Sequence, residues 1–359
     1  MNKSYHDVIN SKVIFQNNLI SWFKNNKRSL PWRDKRDKSN YPYRVMVSEF
    51  MLQQTVVKTV IPFFNRFVHK WQNVRSLSRA SEDEILMHWQ GLGYYSRARN
   101  LLKTAKIIDR DFNGIVPNNQ DDLIKLPGIG KYASAAILAI AYNKPSVVID
   151  GNIKRVISRY LGIKGTLENN KKIIEDMAQK LSVKKNNQNY SQGMMELGAL
   201  ICKPKSPSCE ICPVSETCIS YRLNIQNQVP EPKKSTKKKK LYCSSILLLK
   251  NNKDILLKKR TSKILNNQWE LPSSEWNNRE IDEIRGLCLI KNVKYKKSKE
   301  LYRHIFSHID LKTRVYFGKI KSSKIVKNKK FHKWISLDEL DMYPTTLICR
   351  NILKDYKLI

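Results

Sequence analysis

The chain has 359 residues, which is enough for two or three domains with apolar cores of their own. Its mean hydropathy of -0.52 is typical of soluble globular proteins, and no apolar run approaches the ~20 residues of a membrane-spanning helix, so an integral membrane protein is excluded. The formal net charge of +36 favours a polyanionic partner such as nucleic acid, although a codon bias that enriches lysine accounts for the excess equally well. The start of the chain, MNKSYHDVINSKVIF, lacks the pattern of a secretory signal, and a cytosolic protein is expected.

Residues 1–223 have apolar side chains at helical spacing and short loops with glycine and proline, so a helical domain is predicted. Within it, Glu49 stands in YRVMVSEFMLQQT on the apolar face that Val45, Leu52 and Val56 mark. Burial raises the pKa of a carboxyl group, and a protonated carboxyl near neutral pH can act as a general acid. The alternative for Glu49 is a structural glutamate that pairs with a buried arginine or a backbone donor.

A Gly-x-Gly turn, formed by Gly128 and Gly130 in LPGIGKYASAAILAIAY, precedes a predicted helix. Glycines let a backbone approach a ligand closely, and the N–H groups at a helix start favour an anion such as a phosphate. A plain tight turn between packed helices explains the same residues. Asp150 follows the apolar run SVVI at the start of a further predicted helix, where aspartate is a favoured N-cap and can also point into a cleft.

Four of the seven cysteines are concentrated in the stretch ICKPKSPSCEICPVSETCIS. This crowding is typical of a metal-ligand set, whereas a reducing cytosol disfavours disulfides. The spacing is compatible with an iron–sulfur cluster and with a four-cysteine zinc site. The four candidate ligands are Cys202, Cys209, Cys212 and Cys218.

Residues 224–240, NIQNQVPEPKKSTKKKK, combine prolines with a lysine run and have the composition of an exposed linker. Beyond this linker, LYCSSILLLK and ILLKKR flank a turn and predict a β-hairpin, and RHIFSHIDLKTRVYFGKIK predicts two further strands. FHKWISLDEL predicts a strand that runs into a helix. We therefore expect a second domain, of the α+β class, over residues 241–359.

Five motifs occur in one order: SEFMLQQT, GLGYYSRARN, LPGIGKYA, VVIDGNIKRV and the four spaced cysteines. From about Leu30 to Ser220 they resemble the adenine DNA glycosylase (MutY) family of the helix-hairpin-helix superfamily, and WELP and FSH extend the likeness into the C-terminal domain. The resemblance implies an enzyme that hydrolyses the N-glycosidic bond of adenine mispaired with 8-oxoguanine or guanine in duplex DNA. It also implies a helix-hairpin-helix at about 118–143, one 4Fe-4S cluster on the cysteines at 202–218, a Nudix-like C-terminal domain, and a monomer associated with DNA in a bacterial cytoplasm.

The resemblance further implies how the residues share the chemistry. The adenine is flipped out of the duplex, Glu49 protonates it at N7, and Asp150 stabilises the oxocarbenium-like sugar that remains. Tyr132 and Asn152 orient the water and the two carboxylates. The DNA contacts that it implies, of which the first two fill or wedge the emptied base stack, are Gln53, Tyr94, Gly128, Gly130, Lys131 and Lys154.

Tyr132 distinguishes two branches of this superfamily. Endonuclease III-like enzymes carry a lysine at that position, which is the Schiff-base nucleophile for strand cleavage. Lys131 is one residue away, and one step along a helix turns a side chain by about 100°. We therefore expect a monofunctional glycosylase, with a bifunctional glycosylase and lyase as the alternative and a catalytically silent binding module as a third possibility.

The C-terminal domain resembles the Nudix-related module that recognises 8-oxoguanine on the opposite strand. In its FSH motif, Phe306 would wedge beside the lesion, and Ser307 and His308 would bind the lesion base or the flanking backbone. An ordinary strand is the alternative for these residues. The segment REIDEIRGLCLI lacks the glutamate array that holds Mg²⁺ in a pyrophosphohydrolase, so no nucleotide hydrolysis is expected.

Overall fold

The structure is a computed structural model that describes residues 11–233, 238–262, 264–280, 284, 287, 293–321 and 331–359. Most of REIDEIRGLCLI, part of the predicted linker and the first ten residues lie outside these ranges, as do the predictions made for them. Among the described residues, no helix has both the length and the apolar character needed to cross a membrane.

The chain divides into two compact units. The first contains the described residues of Met1–Ala80 and Ser96–Lys234, and the second those of Ser81–Tyr95 and Ser235–Ile359. The domain limits inferred from composition, at residues 223 and 240, stay predictions.

The first unit is helical, as predicted from its periodicity. Helix α1 buries Phe15, Leu19 and Phe23, which recur every fourth residue, against α11, while α8 packs between α11 and α2. Short turns complete the unit: two 3-10 turns at Pro31–Arg33 and Cys209–Ile211, and a π-helical turn at Leu197–Ile201. The helices in chain order, with α5 assigned to the second unit, are α1 Lys12–Asn26, α2 Tyr41–Leu52, α3 Val57–Lys70, α4 Val74–Ser78, α5 Glu82–Trp89, α6 Ser96–Asp111, α7 Gln120–Lys125, α8 Lys131–Tyr142, α9 Gly151–Tyr160, α10 Lys171–Leu181, α11 Asn187–Glu196 and α12 Ile219–Arg222.

The glycine turn between α7 and α8 forms the predicted hairpin. Gly128 has a φ of +81°, and a Cβ atom there would lie 2.7 Å from the ring of Phe50 and 2.9 Å from Cβ of Asn100. Only glycine fits this position, because the backbone conformation and the space both exclude a side chain. At Gly130, by contrast, a Cβ atom would meet nothing within 4 Å, so the backbone at the start of α8 is open to a ligand.

The second unit contains a seven-stranded sheet in the order β3-β2-β1-β6-β4, with β5 paired to β6 and β7 paired to β2. The predicted hairpin is confirmed, because β1 and β2 pair antiparallel with Leu249 opposite Ile255. β1 and β6 are parallel, and the other pairs are antiparallel. The strands are β1 Lys239–Lys250, β2 Asp254–Lys259, β3 Trp269–Glu270, β4 Tyr295–Lys297, β5 Tyr302–Ile305, β6 Ile309–Ile320 and β7 His332–Ser336.

The segment after β7 differs from the predicted helix. Leu337–Met342 is a 3-10 helix, and the α-helix of this region, α13, begins only at Leu347 and ends at Asp355. Pro344 explains the interruption, since the residue before a proline avoids the α-helical conformation. Thr346 then caps α13, because its hydroxyl accepts a hydrogen bond from the backbone N–H of Cys349 at 3.2 Å.

Candidate functional site

Glu49 lies in the last turn of α2 and is only 4% exposed. Its Oε2 atom is buried and has no hydrogen-bond partner among the described residues. Burial is the main cause that raises the pKa of Glu49, to about 7; a hydrogen bond from Tyr132 lowers the pKa and the charge of Asp150 raises it. Near neutral pH the side chain therefore exists both as a proton donor and as a carboxylate, which general acid catalysis requires.

Asp150 is the N-cap of α9, as its position in the sequence predicted. Its Oδ1 accepts a hydrogen bond from the N–H of Ile153 at 2.6 Å, and its Oδ2 accepts one from Nδ2 of Asn152 at 3.2 Å. The positive end of the helix dipole favours a negative charge at this place. Asp150 is thus a fixed anion close enough to Glu49 to influence its protonation.

Tyr132 stands in the first turn of α8 and contributes the third group. Burial raises the pKa of its phenol well above the ordinary value, and the charges of Glu49 and Asp150 add to that rise. The hydroxyl consequently keeps its proton and donates to Glu49. Lys131, one residue earlier, is exposed to solvent. Three helices therefore bring an acid, an anion and a donor together.

Asn152 connects this site to the cysteine loop. Its Oδ1 accepts a hydrogen bond from Nη2 of Arg155 at 2.9 Å, and the same guanidinium donates to the carbonyls of Gly198 at 2.7 Å and Cys202 at 2.9 Å. Sequence reasoning missed Arg155. The sequence does indicate it, because Arg155 lies on the apolar face of α9 and a buried cation needs several acceptors.

The four cysteines line one small cavity, together with apolar side chains such as Val156 and Leu197. All four are free thiols. Among the described residues, no three His, Cys, Asp or Glu side chains are grouped tightly enough for a single metal ion. Burial raises the pKa of Cys212 to about 12 and of Cys218 to about 11, so the thiolates need bound cations to balance them. The set of four thiol donors fits an iron–sulfur cluster.

Arg159 also reaches the cavity. Its Nη1 lies 3.5 Å from Sγ of Cys202, and its other nitrogens donate to the carbonyls of Val229 and Pro204 at 2.7 and 2.9 Å. The guanidinium is 3% exposed. It therefore places a positive charge beside the sulfur ligands and fixes the loop that carries them.

A buried carboxylate that the sequence analysis did not single out is Glu196, at the end of α11. It is 1% exposed, and its oxygens lie 2.8 Å from Nε of Arg28 and 2.7 Å from Nη2 of Arg33. Removal of both arginines would leave an unpaired buried charge, which typically destabilises a protein by about 3–5 kcal/mol. The signal in the sequence was a charged residue inside the apolar run MMELGALI.

Gln53, a predicted DNA-contacting residue of the first unit, lies beside the hairpin. The side chain of Gln53 donates to the carbonyl of Gly128 at 3.3 Å. Gln54, the next residue, is exposed and has a φ of +58°, a left-handed conformation that costs a residue other than glycine about 1–2 kcal/mol. Lys154 lies on α9 and is partly exposed.

The FSH residues form the turn between β5 and β6, in the second unit. The ring of Phe306 packs 5.5 Å from that of Trp276 and 4.6 Å from that of His304. The hydroxyl of Ser307 is hydrogen-bonded to that of Tyr94, which is 46% exposed and has a φ of +47°. His308 is exposed. Two side chains that are predicted to contact DNA, Tyr94 and Ser307, are thus hydrogen-bonded to each other.

Three family models match parts of this chain. Residues 47–183 match the HhH-GPD superfamily of base excision DNA repair proteins, residues 202–218 match the iron–sulfur binding domain of endonuclease III, and residues 245–355 match the NUDIX domain. The glycosylase fold, the Nudix-like domain and one 4Fe-4S cluster, rather than zinc, are confirmed, while the four cysteines as its ligands stay a prediction.

Curated relatives add an activity. The chain is 37% identical over 302 residues to an adenine DNA glycosylase of Buchnera aphidicola (strain Sg), an alignment that covers 83% of this chain and 85% of the relative. It is 38% identical over 224 residues to the human adenine DNA glycosylase, with 60% of this chain and 41% of the relative covered. A solved thermostable thymine-DNA glycosylase aligns with a TM-score of 0.53 and 30% identity, and covers 60% of this chain and 98% of that structure.

Proposed function

Since the chain belongs to the adenine DNA glycosylase family of base excision repair, we propose that it excises adenine paired with 8-oxoguanine or guanine in duplex DNA. The excision is a hydrolysis that leaves the DNA strand uncut. The observation that carries the proposal is Glu49, a buried carboxyl group with a pKa of about 7 beside Asp150 and Tyr132.

The reaction requires a flipped adenine, because the glycosidic bond cannot be reached inside a base stack. Glu49, in its protonated form, donates its proton to N7 of the adenine, and the C1′–N9 bond then breaks with both electrons moving to the purine. Adenine leaves as a neutral base. Since Oε2 of Glu49 has no partner among the described residues, it is the oxygen best placed to hold that proton.

Departure of the base leaves a positive charge on the sugar. Asp150 stabilises this oxocarbenium-like state, since a fixed carboxylate in a partly buried site acts more strongly than it would in water. A water molecule then adds to C1′, and its proton passes to a carboxylate, which restores the starting state. Asn152 and the N–H of Ile153 hold Asp150 in place through the 3.2 and 2.6 Å hydrogen bonds described above.

Tyr132 supports the expectation of a monofunctional enzyme. A lyase needs an amine next to the reacting carbon to form a Schiff base. In this chain the residue beside the two carboxylates is a phenol, and the neighbouring amine of Lys131 is exposed.

The C-terminal unit would supply recognition of the base opposite the adenine, through Phe306, Ser307 and His308. The packing of Phe306 between two rings supports this role, because a wedge must be rigid to separate stacked bases. The 4Fe-4S cluster, when bound, supplies a covalent cross-link of residues 202–218 through iron–thiolate bonds. Arg155 and Arg159 lie on α9, the helix that Asp150 caps, and connect this helix to Cys202 through hydrogen bonds.

A strand-cleavage assay tests the proposal. Duplexes with adenine opposite 8-oxoguanine, adenine opposite guanine, or thymine glycol opposite adenine are incubated with the holoenzyme and divided into samples with and without alkali. We expect cleavage of the two mispaired-adenine substrates only, and only after alkali. Glu49→Gln and Asp150→Asn are the matched inactive controls. Nicking without alkali, together with borohydride trapping on abasic DNA, would support the lyase instead.

A further inference from the structure

Arg97, on α6, is a buried cation that the chemistry above does not use. It is 6% exposed, and its Nη1 donates to the backbone carbonyls of Phe50 at 3.1 Å, Met51 at 2.7 Å and Gln53 at 2.5 Å. Its Nη2 donates to the hydroxyl of Thr55 at 3.1 Å. One guanidinium therefore binds the last turn of the helix that carries Glu49 and the loop that follows.

The same face of α6 also holds the hairpin. Asn100 lies one turn after Arg97 and close to Gly128. A Cβ atom added to Gly128 would lie 2.9 Å from the Cβ atom of Asn100. Thr104, one turn further, donates its hydroxyl to the carbonyl of Pro127 at 2.8 Å. Residues 97, 100 and 104 follow the spacing of one helix face. Helix α6 thus fixes the loop after α2 and the hairpin before α8 relative to each other.

The loop of residues 53–55 has a backbone conformation that its own residues do not favour. Gln54 has a φ of +58° and is exposed, while the residues on either side of it bind Arg97 through a carbonyl and a hydroxyl. A left-handed conformation at a residue other than glycine persists only where the surrounding contacts impose it. Arg97 supplies those contacts from within the protein, so the side chain of Gln54 is directed outward.

We propose that Arg97 is a positioning residue for excision: it sets the distance between the 53–55 loop and the Gly128 hairpin, so that the flipped nucleotide meets Glu49 in the reactive geometry. This inference rests on the proposed function. Arginine is required, because its planar group of N–H donors reaches several acceptors at once, whereas a lysine ammonium is a compact point charge. The role is geometric and involves no contact with a phosphate.

The test compares Arg97→Lys with the wild type and with Lys103→Gln, an exposed cation on the same helix. Excision of adenine opposite 8-oxoguanine is measured in single turnover at saturating enzyme, with active protein counted from the visible absorbance of the cluster. A duplex with 2-aminopurine in place of the adenine reports flipping by fluorescence. We expect Arg97→Lys to excise about 100-fold more slowly and to lose most of the flipping signal, and Lys103→Gln to match the wild type.

The salt dependence of DNA binding separates positioning from charge. Arg97→Lys should keep the wild-type slope, because a lost phosphate contact lowers the slope by about one. A changed slope would overturn the proposal, as would a wild-type rate and flipping signal in folded Arg97→Lys. If that variant does not fold, Thr55→Val removes the 3.1 Å contact with Arg97 together with a longer, 3.5 Å hydrogen bond to the carbonyl of Gln53, and a wild-type rate and signal there would also refute it. Wild-type excision against Glu49→Gln tests the proposed function separately.

Discussion

Replacement of Glu49 by glutamine should stabilise the protein while it abolishes excision. The pKa of Glu49 is about 7 in the folded protein, against an ordinary value of 4.5. The folded state therefore binds this proton more tightly than the unfolded chain does. The resulting contribution to stability is fully present below pH 4.5 and is lost as the pH rises to about 7.

The size of this effect follows from the same two values. One pKa unit corresponds to 1.36 kcal/mol. Compared with the protonated side chain at low pH, ionisation of Glu49 therefore lowers the free energy of unfolding by about 3 kcal/mol at pH 8 and by about 1.4 kcal/mol at pH 5.5. Glutamine has almost the same shape and does not titrate. The gain of Glu49→Gln over the wild type should therefore be about 2 kcal/mol larger at pH 8 than at pH 5.5. Any fixed effect of burying an amide cancels in this difference.

Urea unfolding of the two holoproteins at both pH values, followed by the circular dichroism of the helices, measures the effect. Glu175→Gln changes an exposed carboxyl on α10 and serves as the matched control; its effect should be the same at both pH values. An equal gain for Glu49→Gln at pH 5.5 and pH 8 would mean that the folded protein holds Glu49 ionised throughout. General acid catalysis by this residue would then lose its physical basis.

Four further outcomes are expected. The single-turnover rate should fall about tenfold per pH unit above the pKa of Glu49, since the protonated form reacts, and this decline should be absent from the residual rate of Glu49→Gln. Asp150→Asn should lose about 10²-fold or more of the rate while the unfolding temperature changes little, because asparagine is an equally good N-cap; a large drop in that temperature would contradict it. Cys212→Ser should reduce the visible absorbance of the cluster and the unfolding temperature together, whereas Cys349→Ser, away from the cluster, should leave the absorbance intact. Phe306→Ala should lower the preference for adenine opposite 8-oxoguanine over adenine opposite guanine, and an unchanged ratio of the two rates would argue against its role as a wedge.

The sequence contained much of the site because some local patterns determine chemistry directly. A glutamate on the apolar face of α2 had to be buried, and an aspartate between SVVI and an amphipathic helix had to be a cap. The hairpin could also be predicted, since a left-handed turn with no space for a side chain requires glycine. In these cases the information lies within one or two helical turns.

Other parts depend on residues that are far apart in the chain. No periodicity links Arg28 and Arg33 to Glu196, although the two arginines pair with this buried carboxylate. The helical positions of Arg97 and Arg155 can be predicted from the sequence, but the carbonyl groups that they bind cannot. Buried cations of this kind satisfy backbone acceptors wherever the fold places them, so their partners follow from tertiary structure alone.

The parallel pairing of β1 with β6 affects how the protein is made. Lys239 pairs with Ile309 and Lys250 with Ile320, so each rung of this ladder joins segments that leave the ribosome on the order of ten seconds apart. The helical unit, which ends at Lys234, is synthesised before β1 and can fold during this interval. Until β6 is synthesised, the edge of β1 that pairs with it stays uncovered. The lysines at both ends of β1 are the kind of charged residue that opposes aggregation of an apolar strand during this time.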